Sequence, residues 1–374
     1  MRFLVVSASA GAGHTRAAQA VEEAARAAGH DVTHVDVLDF ATGAYKKAYV
    51  GSYLKIVDRA PEAWGYLYKT SDREKKGLGD RLSRFFDKLE FTRFRHFVKD
   101  GAFDAVVSTH FLPPHVFTSS RAHGRKREGV PPLTVVVTDF DVHAFWVQKA
   151  ADLFCVASEE LRAVLAGRGI AEEKIHVTGI PIASAFSEKH DARALRARFG
   201  ISADVPTVLL MGGGAGVGTM LEAARAVLDA GRVQLLAVAG RNAELKGALE
   251  GLSAPAGSRV VPFGFVERIA ELMAVSDLAV TKSGGLTTAE CLAMGVPMVI
   301  RDPIPGQEER NCDYVLESCA GVRANGLASL RFKVASLLGD PKRLGSMREA
   351  ARRAARPDAA RDVVAQTMSR ARSR

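Results

Sequence analysis

The sequence predicts an α/β protein built from two doubly wound, Rossmann-like domains. Three observations carry that prediction. Short apolar runs alternate with helical patterns along the chain. Each half opens on an apolar run that ends in glycines and passes into a helix. The alternation breaks once, in the Gly/Pro stretch Gly179–Phe186, and then restarts. A chain of 374 residues suits two domains, since one domain takes about 100–200 residues.

In order, Phe3–Ser9 reads as a strand, Gly11 and Gly13 as a turn, and Thr15–Ala28 as a helix. Further strands are expected at Val32–Leu38, Asp104–Ser108, Leu133–Asp139 and Asp152–Ala157. In the second half Pro206–Gly214 repeats the strand-to-glycine pattern. Strands are expected after it at Val233–Ala239, Arg259–Pro262, Asp277–Thr281 and Val296–Arg301. Strands spaced by helices make parallel sheets covered on both faces. The expected division is 1–180, 181–355 and a C-terminal helix, 356–374, packing back on the first domain. A ligand is expected between the domains, at the carboxyl ends of the strands.

With 47% hydrophobic and 25% charged residues, the chain can bury two cores, which excludes disorder and a coiled coil as whole-chain readings. Cys155, Cys291, Cys312 and Cys319 form no CxxC pair, which argues for a reducing compartment and against a disulfide framework or structural zinc. The first apolar run is too short for a signal peptide, and no uncharged apolar stretch is long enough to span a bilayer. The net charge of +9 is concentrated: residues 43–99 hold 14 Lys/Arg against 7 Asp/Glu, with 11 aromatics. A uniformly basic nucleic-acid binder is thereby excluded.

Gly11-Ala12-Gly13-His14-Thr15-Arg16 offers amides to an anion at a helix start, and Arg16 stands where a dinucleotide fingerprint needs glycine. His14 is placed as a general base, or else as a capping or surface His. Asp139-Phe140-Asp141, with His143 and Trp146, is either a weak cation motif or a polar site beside the base. Gly212-Gly213-Gly214 permits close approach of phosphate, or only tight strand–helix packing. In Thr281-Lys282-Ser283-Gly284-Gly285-Leu286-Thr287-Thr288-Ala289-Glu290, glycines and hydroxyls open a helix whose first turn is expected to carry Glu290. That pattern suits a diphosphate and a ribose, or a plain capping arrangement. Pro305–Asn311 is a polar loop able to read sugar hydroxyls, or a solvated turn.

Together, SAGAGHTRAA, VVTDFDVHAFWV, SGGLTTAECLAMGVPMVI and PGQEERN resemble glycosyltransferase family 28, which has the GT-B fold, its two domains facing across a cleft. The nearest resemblance is to the monogalactosyldiacylglycerol synthases and processive diacylglycerol glycosyltransferases. The resemblance implies an inverting hexosyltransferase that needs no metal or other cofactor. It would move a hexose from UDP-glucose, or secondly UDP-galactose, to 1,2-diacylglycerol or a glycosyldiacylglycerol. His14 would be the base, with Asp139 an alternative or orienting partner. Gly212, Gly213, Gly214, Ser283, Gly284, Gly285, Thr287 and Thr288 would hold the diphosphate, and Glu290 the ribose. Phe265 and Val266 would frame the uracil, while Gln307, Glu308 and Asn311 would contact the sugar. Gly13, His143 and Trp146 would stand on the acceptor side.

A lipid acceptor gives the basic, aromatic segment a use. Tyr45, Tyr49 and Tyr53 share a helical face, and Arg81 and Arg84 flank Phe85 and Phe86. Such faces suit an anionic membrane surface, here the inner face of the cell membrane, or the covering of a domain core. The rivals are transfer to a polyprenyl-diphosphate acceptor, a UDP-sugar epimerase on the same scaffold, and a binding module without turnover.

Overall fold

The computed structural model describes residues 1–9, 11–48, 51, 61–72, 91–114, 131–149, 151–212 and 217–373. Of the expected site residues, Tyr49, Tyr53, Arg81, Arg84, Phe85, Phe86, Gly213 and Gly214 lie outside these. Contacts divide the chain into two units. One is Met1–Ser184 with Ile304–Gln307 and Arg356–Arg374, and the other is Ala185–Pro303 with Glu308–Ala355.

In chain order the first unit runs β1 (Arg2–Ser7), α1 (Ala12–Ala27), β2 (Asp31–Asp36), α2 (Pro61–Ser71), α3 (Thr92–Asp100), β3 (Ala105–Ser108), β4 (Leu133–Val136), β5 (Leu153–Val156), α4 (Glu159–Gly167) and β6 (Ile175–Val177). Its sheet is parallel, in the order β2-β1-β3-β4-β5-β6. Both faces of β1 are buried, which is why FLVV reads as an unbroken apolar run rather than an alternation. Phe3 and Val5 share a core with Ala18, Val21 and Ala25 of α1. Small side chains at that spacing let the helix lie close on the sheet. Val363 and Val364 of the C-terminal helix Ala359–Arg372 complete this core, each contributing about 1.5–3 kcal/mol by burial.

The second unit runs α5 (Ala192–Phe199), β7 (Thr207–Met211), α6 (Val217–Leu228), β8 (Gln234–Val238), α7 (Ala243–Glu250), β9 (Arg259–Phe263), α8 (Ile269–Ala274), β10 (Leu278–Thr281), α9 (Gly285–Met294), β11 (Met298–Arg301), α10 (Gln307–Glu317), β12 (Gly321–Ala324), α11 (Leu327–Leu338) and α12 (Pro341–Ala354). Its parallel order, β12-β11-β10-β7-β8-β9, reverses direction between β7 and β10. In the first sheet the corresponding switch lies between β1 and β3. Ligands of open α/β sheets sit at such switch points, outside the carboxyl ends of the strands.

Gly179, just past β6, adopts φ +92° and donates its N–H to Val156 O at 3.0 Å. An added Cβ would overlap the Cβ of Arg356 and press on that of Ala359 at 3.1 Å. Gly179→Ala is expected to destabilise the first unit by about 3 kcal/mol or more, from left-handed backbone strain and overpacking together. A denaturant midpoint within the error of the wild type would contradict this.

Candidate active site

The first cluster forms where β1, β3 and β4 end. Helix α1 begins at Ala12, so Gly13 and His14 stand in its first turn rather than in the turn before it. Gly11 is the N-cap, in extended backbone and without a side-chain cap. His14 Nδ1 lies 3.0 Å from Thr109 O and 2.9 Å from Thr138 Oγ1. A carbonyl can only accept, so in the neutral ring Nδ1 carries the proton and Nε2 keeps the lone pair a base needs. Thr109 returns the contact by donating from Oγ1 to His14 O at 2.8 Å. The residue keeps some exposure, yet the imidazole is packed closely enough that burial pushes its pKa down to about 4.

A second buried imidazole meets it. His110 stands edge to face with His14, ring centroids 4.6 Å apart and planes at 81°. Its Nδ1 accepts the Leu112 N–H at 3.0 Å, which fixes the other tautomer, and burial holds its pKa well below the usual histidine range. Trp146 lies 6.3 Å from His14 by ring centroid and packs on Phe111, which also stacks on the half-exposed Phe145. Thr109, His110 and Phe111 lie outside every motif singled out in the sequence, and Thr138 and Phe145 lie within VVTDFDVHAFWV without an expected role. Their positions are set by strand ends about a hundred residues apart, which no local spacing reveals.

Asp139 does not orient His14. The ring's Nδ1 is occupied by Thr109 and Thr138, and Asp139 Oδ2 instead accepts from Gln307 Nε2 at 2.7 Å. The neighbouring Asp141 accepts from Tyr68 of α2, while His143 Nε2 faces Tyr68 O at 3.0 Å. Asp141 and His143 thus both meet Tyr68, while Asp139 meets Gln307. His143 and Trp146 are 2% and 3% exposed, so they support the site from within instead of presenting a surface. Tyr45 is half-buried, with its ring at 86° to that of the buried Phe91, so it covers the core of the first unit. Asp72 at the end of α2 takes Arg168 through both oxygens, at 2.8 and 3.0 Å, and also accepts the Ala144 N–H. The Arg168 pair ties the end of α2 to the end of α4, and the Ala144 N–H ties it to the loop that follows β4.

The second cluster forms where β7, β9, β10 and β11 end. Gly212 follows β7 directly, and an added Cβ there would meet the Met220 side chain of α6, so strand and helix pack closely at this glycine. Helix α9 starts at Gly285 with Gly284 as N-cap, no side-chain cap and no acidic residue in its first turn. Glu290 therefore falls in the second turn, not the first, and is 2% exposed. The capping arrangement is not formed, because Ser283 Oγ donates to Glu308 O at 2.6 Å. By contrast α5, α7 and α12 begin on Asp191, Asn242 and Asp340, each accepting an amide of its first turn. Thr287 is half-buried, whereas Thr288 is wholly buried with its Oγ1 unpartnered. Asn311 is also wholly buried, so it holds α10 rather than facing solvent.

Phe265 is 60% exposed, and the Arg241 guanidinium lies 4.9 Å from its ring centroid. Phe265 and Val266 line a pocket of about 410 Å³ with Phe199, Phe263 and Leu272. Apolar faces suit a planar base, and the charged Arg198, Glu267, Arg268 and Glu271 line the same pocket. The α9 N-terminus, with its uncapped amides and positive dipole end, suits an anion.

Two family models match the chain: monogalactosyldiacylglycerol (MGDG) synthase over residues 14–182, and the glycosyltransferase family 28 C-terminal domain over residues 207–322. A processive diacylglycerol beta-glucosyltransferase of Bacillus licheniformis is 29% identical over 349 residues, covering 93% of this chain and 89% of that one. Among solved structures, MurG of Acinetobacter baumannii matches with a TM-score of 0.65 at 18% identity, over 98% of this chain and 99% of that one. The UDP-GlcNAc 2-epimerase of Neisseria meningitidis bound to UDP-GlcNAc matches at 0.62 and 12%, over 99% and 100%. The structural likenesses establish the GT-B fold. A transferase and an epimerase share it, so the fold alone does not separate those chemistries.

Proposed function

The chain belongs to glycosyltransferase family 28, in its monogalactosyldiacylglycerol synthase-like branch, and on that premise we propose that it transfers a hexose from a UDP-sugar to 1,2-diacylglycerol. The observation that carries the reading is His14 at the β1 switch point. Its Nδ1–H is pinned by Thr109, its Nε2 is left as an acceptor, and aromatic side chains stand beside it. A hydroxyl attacking an anomeric carbon must shed its proton, and a neutral imidazole accepts it. The base and diphosphate would be held by the Phe265–Val266 pocket and the α9 N-terminus, with Glu290 toward the ribose. Glucose is the first choice of hexose and galactose the second. The transfer inverts the anomeric centre, uses no metal and extends the product by further sugars.

The membrane assignment is part of the proposal. No helix among the described residues is long and apolar enough to cross a bilayer. The excess of basic and aromatic residues between 43 and 99 supports docking on an anionic surface, at about 1 kcal/mol for each Lys or Arg near it. The test is UDP release from a panel of UDP-hexoses, with chelator present, with and without diacylglycerol in phosphatidylglycerol vesicles at low and high salt. Release is expected to require the lipid, to select one hexose and to fall steeply with salt. Donor turnover that ignores the lipid would replace this reading with the epimerase, and turnover only with a polyprenyl diphosphate would replace the acceptor.

A further inference from the structure

Helix α2 carries two residues, Gly65 and Tyr68, that meet the turn leading into α10. They stand three apart on the helix, so they share a face. An added Cβ at Gly65 would stand 2.6 Å from the Cβ of Pro305, and one at Gly306 would stand 2.7 Å from Cδ1 of Tyr68. The α2 backbone therefore lies against Pro305, and the Tyr68 ring against Gly306, where the chain turns at φ +90°. The next residue, Gln307, donates from Nε2 to Asp139 Oδ2 at 2.7 Å. Three consecutive residues are thus each held by α2 or by the segment after β4, and all belong to the first unit.

Tyr68 is itself fixed from several sides. Its hydroxyl donates to Asp141 Oδ2 at 3.2 Å, its carbonyl accepts from His143 Nε2 at 3.0 Å, and its ring centroid lies 4.4 Å from that of the imidazole. Burial and the neighbouring carboxylates of Asp141 and Asp139 push the phenol's pKa up, so the hydroxyl stays a donor. The turn it supports presents one open group. A carboxylate only accepts, so Gln307 faces Asp139 with its NH₂, and that fixes where the amide oxygen stands. Gln307 Oε1 accepts no hydrogen bond from any described residue. An acceptor fixed in place and left open suits a ligand that brings hydroxyl donors, and a hexose is such a ligand.

We propose that Tyr68 is a positioning residue for the donor hexose: by seating Gly306 it holds Gln307 where Oε1 accepts from a sugar hydroxyl. The inference rests on the UDP-sugar reading above and deepens it. Tyr68 touches no substrate and acts only through the turn. Gly65 acts with it, because a residue without a Cβ lets Pro305 settle on the helix. The hydroxyl of Tyr68 sets the height of the ring by its bond to Asp141, while the ring itself meets Gly306.

The test measures UDP, UDP-glucose and UDP-galactose binding calorimetrically for the wild type, Tyr68→Ala, Tyr68→Phe and Gly65→Ala, and then donor KM and kcat with diacylglycerol vesicles. Tyr68→Ala is expected to weaken the preferred UDP-hexose about threefold to tenfold, as loss of one hydrogen bond does, and UDP by less than about twofold. Its donor KM should rise by a similar factor. Tyr68→Phe keeps the ring on Gly306 and should recover most of the lost affinity. Gly65→Ala favours the helix while its methyl pushes Pro305 away, so the same selective loss is expected from a variant whose α2 stays formed. Equal losses for UDP and UDP-hexose would mean a general structural role and overturn the inference, as would unchanged UDP-hexose affinity in Tyr68→Ala or Gly65→Ala. A wild type that binds neither UDP-hexose would overturn both the inference and the donor reading. The expected binding pattern without transfer to diacylglycerol would sustain Tyr68 and overturn only the acceptor.

Discussion

Replacing His14 by alanine or asparagine is expected to reduce sugar transfer about a thousandfold while UDP affinity stays within about twofold of the wild type. A positioned general base contributes about 10²–10⁴ in rate, and His14 belongs to the first unit whereas the residues assigned to UDP belong to the second. Alanine suits the first turn of a helix but leaves Thr109 O without its donor, at a cost of about 1–3 kcal/mol. Asparagine separates that cost from the chemistry. Its amide can still donate to Thr109 O, yet it offers no nitrogen lone pair in place of Nε2. Lipid-dependent UDP release, measured beside a UDP titration, checks both variants. Turnover of His14→Asn within tenfold of the wild type would remove His14 from the base role.

The same cluster shows what the sequence made legible. The β1–glycine–helix pattern located His14 because strand, cap and helix are contiguous, and each has a local signal. The strands missed were β6 and β12, in Ile175–Val177 and Gly321–Ala324. Both are edge strands, short and partly polar, and edges are kept that way to discourage pairing with other chains. Helix α1 begins three residues before the Thr15 that the sequence suggests, because Gly13 reads as a turn residue although Gly11 alone serves as the cap.

Side-chain partners were legible only where they lie near in sequence. Asp139 follows Thr138 directly and is acidic, so it was the natural candidate to orient an imidazole. The structure gives that place to the threonine, because the carboxylate is taken by Gln307. Likewise Trp146 and His143 carry no local mark of burial, and only tertiary packing distinguishes them from the exposed Phe145 between them. The polar partners around His14 are neutral: a carbonyl, a hydroxyl and an uncharged imidazole. No carboxylate among them stabilises the imidazolium.

That neutrality has a consequence for pH. With its pKa pushed down to about 4, His14 stays unprotonated across the range in which an ordinary histidine, near 6.5, would charge. Transfer is therefore expected to hold its kcat from pH 7 to about pH 5, where a base of pKa 6.5 would already have lost about thirtyfold. Such a weak base suffices because the acceptor hydroxyl becomes strongly acidic only as its oxygen bonds to carbon. Stability follows the opposite course. Between about pH 6.5 and 4 the unfolded chain binds a proton at His14 that the folded chain refuses, so stability falls as pH drops through that window. His110 and His143 are shifted downward by burial too and act in the same direction. His14→Asn should accordingly unfold with a flatter pH dependence over this interval than the wild type. Thermal unfolding of both proteins from pH 7 to 4, beside the wild-type kcat profile, checks the two halves together. An acid limb near 6.5, or identical slopes for the two proteins, would mean that the imidazole meeting the acceptor is not held in this buried, neutral setting.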